Sequence, residues 1–151
     1  MPTLPIVIGE KNPILRKKTK KVPRITKDVL QLIADMAHTV SVAKGAGLAA
    51  PQVGRTERVC LALLGGKMQA LINPEITSRS SSTAVAEEGC LSLPGVWLPI
   101  TRSTEITLQF VTMDGKPREL LLKDFDARVI QHEVDHLDGV LITDHKREVV
   151  M

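Results

Sequence analysis

The pentapeptide His-Glu-Val-Asp-His at 132–136 constrains this chain more than any other feature of its sequence. On an α-helix, residues four apart lie one turn apart on the same face, so His132 and His136 can bind one metal ion. Glu133 follows the first histidine directly, where its carboxylate can act on an attacking water instead of on the metal. The pattern predicts a helix with a hydrolytic metal site; two histidines on a solvated helix face are the alternative.

Such a site needs a third protein ligand, and the position of that ligand separates the classes of enzyme that use this pattern. A third histidine six residues after His136 is excluded, because that position is Ile142. Glu148 is the only glutamate after the pentapeptide, on a tail too short for a further helix. We therefore expect an upstream ligand. Cys90, inside the run 87–92, is the candidate, since a thiolate and two imidazoles form a sound ligand set; a small buried side chain is the alternative.

Hydrophobic patterning predicts two helices and a block of short strands between them. One helix begins after a Thr26 cap and runs to Lys44, and the second extends from Asp124 to about Asp138. The expected strands are 58–64, 68–72, 83–87, 105–113 and 117–122, with a solvent loop at 78–83. Cys60 lies in the first strand and is expected in the core. These elements predict an α+β fold, with short antiparallel strands packed around a central HExxH helix and an N-terminal helix.

The length and composition limit the class of protein. A chain of 151 residues with 43% hydrophobic residues is expected to form a single domain, 1–151. Its apolar runs are too short for a membrane span, and its N-terminus lacks the pattern of a signal peptide. Two cysteines favour a reducing compartment, so we expect a cytoplasmic protein. Three aromatic residues make a stacking platform for nucleic acid improbable, and we expect neither membrane nor sequence-specific nucleic acid as a partner.

The charge is distributed unevenly along the chain. Residues 11–27 hold eight basic side chains and no acidic one, whereas the remainder carries 12 basic and 17 acidic side chains. A basic stretch on an otherwise acidic body is typical either of an anion-binding face or of a solvated surface that keeps the protein soluble.

The segment Gly45–Gln52, with the sequence GAGLAAPQ, directly follows the first helix. Its two glycines, Gly45 and Gly47, allow backbone or substrate to approach closely. Gln52 supplies an amide that can donate a hydrogen bond to an oxyanion. A loop that merely ends the helix is the alternative.

Three motifs together resemble the peptide deformylase family. They are GAGLAAPQ at 45–52, EGCLS at 88–92 and QHEVDH at 131–136, in the order of that family, and the resemblance covers nearly the whole chain. It implies that Cys90, His132 and His136 bind the metal and that Glu133 is the general base and acid. It also implies that the Gln52 amide and the Leu91 backbone N–H stabilise the oxyanion.

The same resemblance implies the substrates and the cofactor. The expected substrates are N-formylmethionyl peptides and nascent chains, which are hydrolysed to formate and a free amino terminus. The expected cofactor is one divalent ion per chain, with Fe(II) as the native ion and Zn(II), Ni(II) or Co(II) as alternatives, since thiolate and imidazole suit several metals. An HExxH metallopeptidase and an inactive metal-binding homologue are the competing functions.

The second helix also predicts a pocket for the methionine side chain. Phe125 and Val129 share one stripe with His132 and His136, at i, i+4, i+7 and i+11. By this spacing alone Phe125 and Val129 can equally be core, and the family resemblance favours a pocket at Val129. The expected substrate-binding residues are Gly45, Gly47, Val129 and Phe125. Arg128 lies beside this stripe, where its stem can line the rim. Glu88 and Asp135 are the carboxylates that can support the metal-bound imidazoles, and Arg102 can anchor either one. Surface carboxylates with ordinary solvation are the alternative for each.

The sequence departs from the family at its end. Many bacterial members continue into a long C-terminal helix, whereas only 145–151 follow Asp144 here. We expect no such helix, because seven residues are too few to form one in water. The basic segment 11–27 is then the candidate for a weak contact with the ribosome.

Overall fold

A computed structural model describes residues 3–145, beginning with an extended segment, a short 3-10 helix at Pro13–Arg16 and helix α1 at Lys27–Ala43. The predicted cap is confirmed, because the Thr26 side chain accepts a hydrogen bond from the backbone N–H of Val29 at 3.2 Å. Helix α1 ends at Ala43, one residue before the predicted end at Lys44, since Lys44 itself adopts the left-handed conformation, with φ of 57°. The expectation for the C-terminal tail falls on 146–151, which lie outside the described residues.

Seven strands form two antiparallel sheets in the described part of the chain. The strands are β1 (Gly47–Ala49), β2 (Val59–Leu64), β3 (Lys67–Arg79), β4 (Thr83–Cys90), β5 (Leu93–Ser103), β6 (Glu105–Val111) and β7 (Pro117–Lys123). The larger sheet has the order β1-β2-β3-β6-β7, and β4 pairs with β5 in the smaller sheet. All the strand pairs are antiparallel, as predicted.

Helices cover both faces of the larger sheet. Strand β2 is almost entirely apolar because its alternate residues pack into two different clusters. Val59 and Leu61 pack against α1, whereas Cys60 and Ala62 face the second helix. The prediction that Cys60 is a core residue is confirmed.

Helix α2 (Asp124–Leu137) is the central element of the fold. It contacts every strand of the larger sheet and also β5. Gly139, at φ of +78°, follows the helix end as expected. An added Cβ there would lie 2.5 Å from the carbonyl oxygen of Arg16, so glycine also allows the N-terminal segment to pack closely.

The structure corrects two strand predictions. Strand β5 was not predicted, because its two prolines and one glycine obscure the alternation, but a strand with a single partner tolerates proline. Strand β3 extends through Ser78 and Arg79, which were expected in a solvent loop. It contains register shifts around Asn73, a residue at φ of 53°, and these shifts conceal the strand period in the sequence. Among the described residues, no helix is long and apolar enough to cross a membrane.

Candidate metal and catalytic site

Three predicted ligands meet where α2 faces the end of β4. The ligand atoms of Cys90, His132 and His136 all lie within 4.8 Å of one another. Cys90 Sγ is 3.3 Å from His136 Nε2, and the two imidazole rings are 4.9 Å apart between centroids. The residues 90, 132 and 136 therefore form the cluster that the sequence predicts.

Glu88 orients the first histidine. Its carboxylate lies 2.9 Å from His132 Nδ1, which leaves Nε2 as the ligand atom. Burial alone would lower the pKa of His132, but contacts with Cys90 and Glu88 outweigh it and raise that pKa to about 10. Negative groups that favour a proton on this ring also favour a divalent cation beside it. The donor set and its surroundings thus fit a metal ion.

A buried ion-pair network connects Glu88 to the end of α2. Arg102 donates from Nε and Nη2 to Glu88, at 3.0 and 2.9 Å, and from Nη1 to Asp135 at 2.6 Å. Arg128 donates to the same Glu88 carboxylate at 2.6 Å. Burial opposes ionisation of Glu88, but the bonds with His132 and Arg102 outweigh it and keep its pKa well below the usual range. Arg102 thus anchors both carboxylates, whereas the sequence predicted an anchor for either one.

Glu133 is buried directly beside the three ligands. Burial raises the pKa of its carboxyl to about 7, a value suited to accepting and returning protons near neutral pH. Its Oε1 has no hydrogen-bond partner among the described residues. A buried polar oxygen without a partner is rare, so packing alone does not account for this residue.

Gln52 lies beside Cys90, in a 3-10 helix at Ala50–Val53. Its Oε1 accepts a hydrogen bond from the backbone N–H of Ala49 at 2.9 Å. Its Nε2 donates to Ser92 Oγ at 3.1 Å and lies 3.6 Å from Cys90 Sγ. The amide nitrogen is thereby directed toward the ligands, as the oxyanion role requires.

A cavity of about 550 Å³ opens onto these groups. The glycine-rich segment forms one wall, the end of β4 forms another, and α2 contributes Phe125 and Val129. Val129 is buried and Phe125 is 58% exposed. Cys90, Leu91, Gln52, His132 and Glu133 also line the cavity, as do Gly45 and Gly47.

Two features of the cavity were not found by sequence reasoning. Trp97, which is 65% exposed, lines the cavity from β5 and lies so close to Gly89 that a Cβ there would be 2.8 Å from the indole ring. The Arg128 side chain does line the cavity, but its guanidinium also donates to Glu88 and to the carbonyl oxygens of Ala84 and Ile100. Neither feature has a sequence signal, since Trp97 lies on the undetected strand β5 and the contacts of Arg128 join residues that are distant in sequence.

A family model described as polypeptide deformylase matches residues 4–150. The chain belongs to the peptide deformylase family. It is accordingly a hydrolase that removes the formyl group from nascent polypeptides, and a metallopeptidase function is not favoured.

Individual peptide deformylases are similar to this chain over most of their length. The enzyme of Pseudothermotoga lettingae is 44% identical over 133 residues, which cover 88% of this chain and 77% of that protein. The solved structure from Thermotoga maritima has a TM-score of 0.92 and 40% identity, and the match covers 96% of this chain and 98% of that one. A structure of the Acinetobacter baumannii enzyme with bound Met-Ala-Ser has a TM-score of 0.91 and 30% identity, with 95% and 98% covered.

Proposed function

We propose that Cys90, His132 and His136 hold one divalent ion and that Glu133 is the general base and acid of the deformylase reaction. The observation that carries this proposal is the approach of three ligand atoms to within 4.8 Å of one another beside a buried carboxylate. We further propose that residues 1–151 act as one catalytic domain and that they act in the cytoplasm, where nascent chains are made.

The native ion is proposed to be Fe(II), with Zn(II), Ni(II) and Co(II) as functional substitutes. A thiolate with two imidazoles suits each of these borderline metals, so the donor types alone support several ions. When bound, the ion would supply Lewis-acid polarisation of the formyl oxygen and lower the pKa of the attacking water.

Glu133 moves the proton that the reaction requires. It accepts a proton from water as the water oxygen bonds to the formyl carbon. It then delivers this proton to the amide nitrogen as the carbon–nitrogen bond breaks, which gives formate and a free amine. A carboxyl group with a pKa of about 7 is able to perform both transfers near neutral pH.

Gln52 and Leu91 are proposed to stabilise the negative charge that develops on the formyl oxygen. The Gln52 amide is held between Ala49 and Ser92 and lies beside Cys90. Leu91 follows Cys90 directly, so a single turn positions both a ligand and a backbone donor. A donor of this kind typically lowers the barrier by about 2.7–4 kcal/mol.

The methionine side chain is proposed to occupy the apolar part of the cavity, against Val129 and Phe125. Gly45 and Gly47 also line this cavity. An added Cβ at Gly45 would lie 3.0 Å from Leu91 Cδ1, so side chains at these positions would reduce the space available. The Met-Ala-Ser bound in the structure of the Acinetobacter baumannii relative supports a methionyl peptide as the ligand.

A weak ribosome contact through 11–27 is also proposed. The side chains of Lys17, Lys18, Lys20 and Lys21 are exposed, whereas Arg16 is paired with Asp144 at 2.6 Å. A contact of this kind would be made to RNA phosphates and would weaken steeply with salt. Equal pelleting with ribosomes at low salt by the wild type and by a variant with glutamate at these four lysines would refute it.

One assay tests the main proposal. The metal-loaded protein is incubated with formyl-Met-Ala-Ser and, separately, with an unformylated peptide that contains internal methionine. We expect stoichiometric formate and Met-Ala-Ser from the first peptide and no cleavage of the second. Internal cleavage would indicate a metallopeptidase, and absence of both reactions would indicate an inactive homologue.

A further inference from the structure

We propose that Ser92 is a positioning residue that directs the Gln52 amide toward the formyl oxygen. We further propose that backbone N–H groups of the N-terminal segment 7–9 hold Gln52 and Ser92 in place. The inference rests on the proposed role of Gln52 as an oxyanion donor.

The side-chain contact is fully enclosed. Ser92 has no exposed surface and Gln52 is 2% exposed. Gln52 Nε2 donates to Ser92 Oγ at 3.1 Å, while its Oε1 accepts from the backbone of Ala49 at 2.9 Å. Because the Ala49 N–H identifies the oxygen end of the amide, the nitrogen end must face Ser92 and Cys90.

The two amide protons then have separate tasks. The first is used in the bond to Ser92 Oγ. The second is directed toward Cys90 Sγ, 3.6 Å from the nitrogen, and so toward the ligand cluster. Without the Ser92 hydroxyl only Oε1 of the amide would be held. The last side-chain torsion of glutamine, χ3, has a broad distribution, so the amide could then rotate. The hydroxyl therefore limits the amide to the orientation that can meet a developing negative charge.

The backbone of the N-terminal segment holds the same two residues. The N–H of Val7 donates to the carbonyl oxygen of Gln52 at 2.7 Å, and the N–H of Gly9 donates to that of Ser92 at 2.9 Å. The segment thus bridges two motifs that are 40 residues apart in the chain. Gly9 adopts a φ of +104°, and an added Cβ there would meet no atom within 4 Å. Alanine at this position would strain the backbone without a steric clash.

Ser92→Ala is the direct test. We expect kcat for formyl-Met-Ala-Ser to fall about tenfold, less than the 10²–10³ that follows loss of a whole oxyanion donor. KM and metal content should not change. The inhibition constant of the product Met-Ala-Ser should not change either, because this product has no formyl oxygen. Gly9→Ala should lower kcat about threefold and likewise leave KM and metal content unchanged. A small misplacement of a catalytic group lowers the reaction rate before it weakens substrate binding.

Thr39→Val is the matched control. Thr39 is 1% exposed, and its hydroxyl accepts a hydrogen bond from the backbone N–H of Leu4, so it also holds the N-terminal segment, but outside the cavity. We expect its kcat to remain within twofold of the wild type.

A double-mutant cycle with Gln52→Leu separates the possible results. If Ser92 acts through Gln52, then Ser92→Ala has no further effect on kcat in the Gln52→Leu background. Wild-type kcat in Ser92→Ala, or a tenfold loss that persists without the Gln52 amide, would overturn the inference. An active wild type whose rate does not depend on Gln52 would instead overturn the proposed function of Gln52.

Discussion

Gly47 lies so close to Glu133 that a Cβ at position 47 would stand 2.5 Å from Glu133 Oε2 and 2.8 Å from its Cδ. The same Cβ would lie 2.9 Å from the backbone oxygen of Leu61, so the strand cannot simply move away. The glycine in β1 thus provides the space for the proposed general base. This steric constraint explains why position 47 is a glycine, whereas the sequence suggested Gly47 only as a substrate-binding residue.

Gly47→Ala is therefore expected to displace the Glu133 carboxylate and lower kcat about 10²-fold, the cost typical of a misplacement of about 1 Å. Gly45→Ala is the matched comparison, because its Cβ would meet the flexible end of Leu91 at 3.0 Å. We expect Gly45→Ala mainly to raise KM. Steady-state kinetics on formyl-Met-Ala-Ser distinguish the two, and similar kcat values for both variants would contradict this reading of Gly47.

Glu133→Ala is expected to retain the metal and lose turnover, because the carboxylate moves a proton and is not a ligand. Loss of a general base typically costs about 10²–10⁴ in rate. Elemental analysis and formate release are measured on the same preparation, with Glu119→Ala on exposed β7 as the control. Metal content that falls in parallel with activity would instead make Glu133 a ligand.

The two cysteines are expected to respond differently to serine. Cys90→Ser should strongly reduce metal occupancy, whereas Cys60→Ser should keep the metal and lower the free energy of unfolding by about 1–3 kcal/mol, since it buries a hydroxyl in an apolar cluster. Burial raises the pKa of the Cys60 thiol well above its usual range, so oxidants should act first on Cys90. If modification of Cys60 tracks the loss of activity in peptide mapping, these assignments are wrong.

Arg102→Met is expected to be the most destabilising charge deletion, by about 3–5 kcal/mol, because it leaves Glu88 and Asp135 buried without their shared partner. It should also weaken metal binding about 10–100-fold, through the Glu88 contact with His132. Arg16→Met provides the comparison, since its ion pair with Asp144 is partly exposed and is worth at most about 1 kcal/mol. Chemical denaturation and metal titration measure the two effects; equal stability losses would contradict the proposed importance of the buried network.

The sequence was sufficient for the helices and for the two candidate histidine ligands, because both have a local signal. The Thr26 cap, the Asp124 start and the i, i+4 spacing of His132 and His136 can each be recognised from neighbouring residues. Strand β5 could not be predicted, since its pairing with β4 depends on residues distant in sequence and its prolines disguise it.

The parts of the site that the sequence did not reveal depend on such distant pairings. Trp97 lies on β5, so its position follows only when that strand is placed against β4. The hydrogen bonds by which residues 7–9 hold Gln52 and Ser92 are made by backbone groups, which every residue possesses. Contacts of this type leave no trace in residue type, apart from the glycine at position 9.

The central claim is that one divalent ion held by Cys90, His132 and His136 gives the chain its deformylase activity. Its most direct test is to remove metal from the purified protein, restore Fe(II) stepwise without oxygen, and measure the rate of formate release against the number of ions bound per chain. We predict no activity before the addition and a linear rise that ends at one ion per chain. Full activity in the metal-free protein, or a rate that continues to rise beyond one bound ion, would contradict the claim.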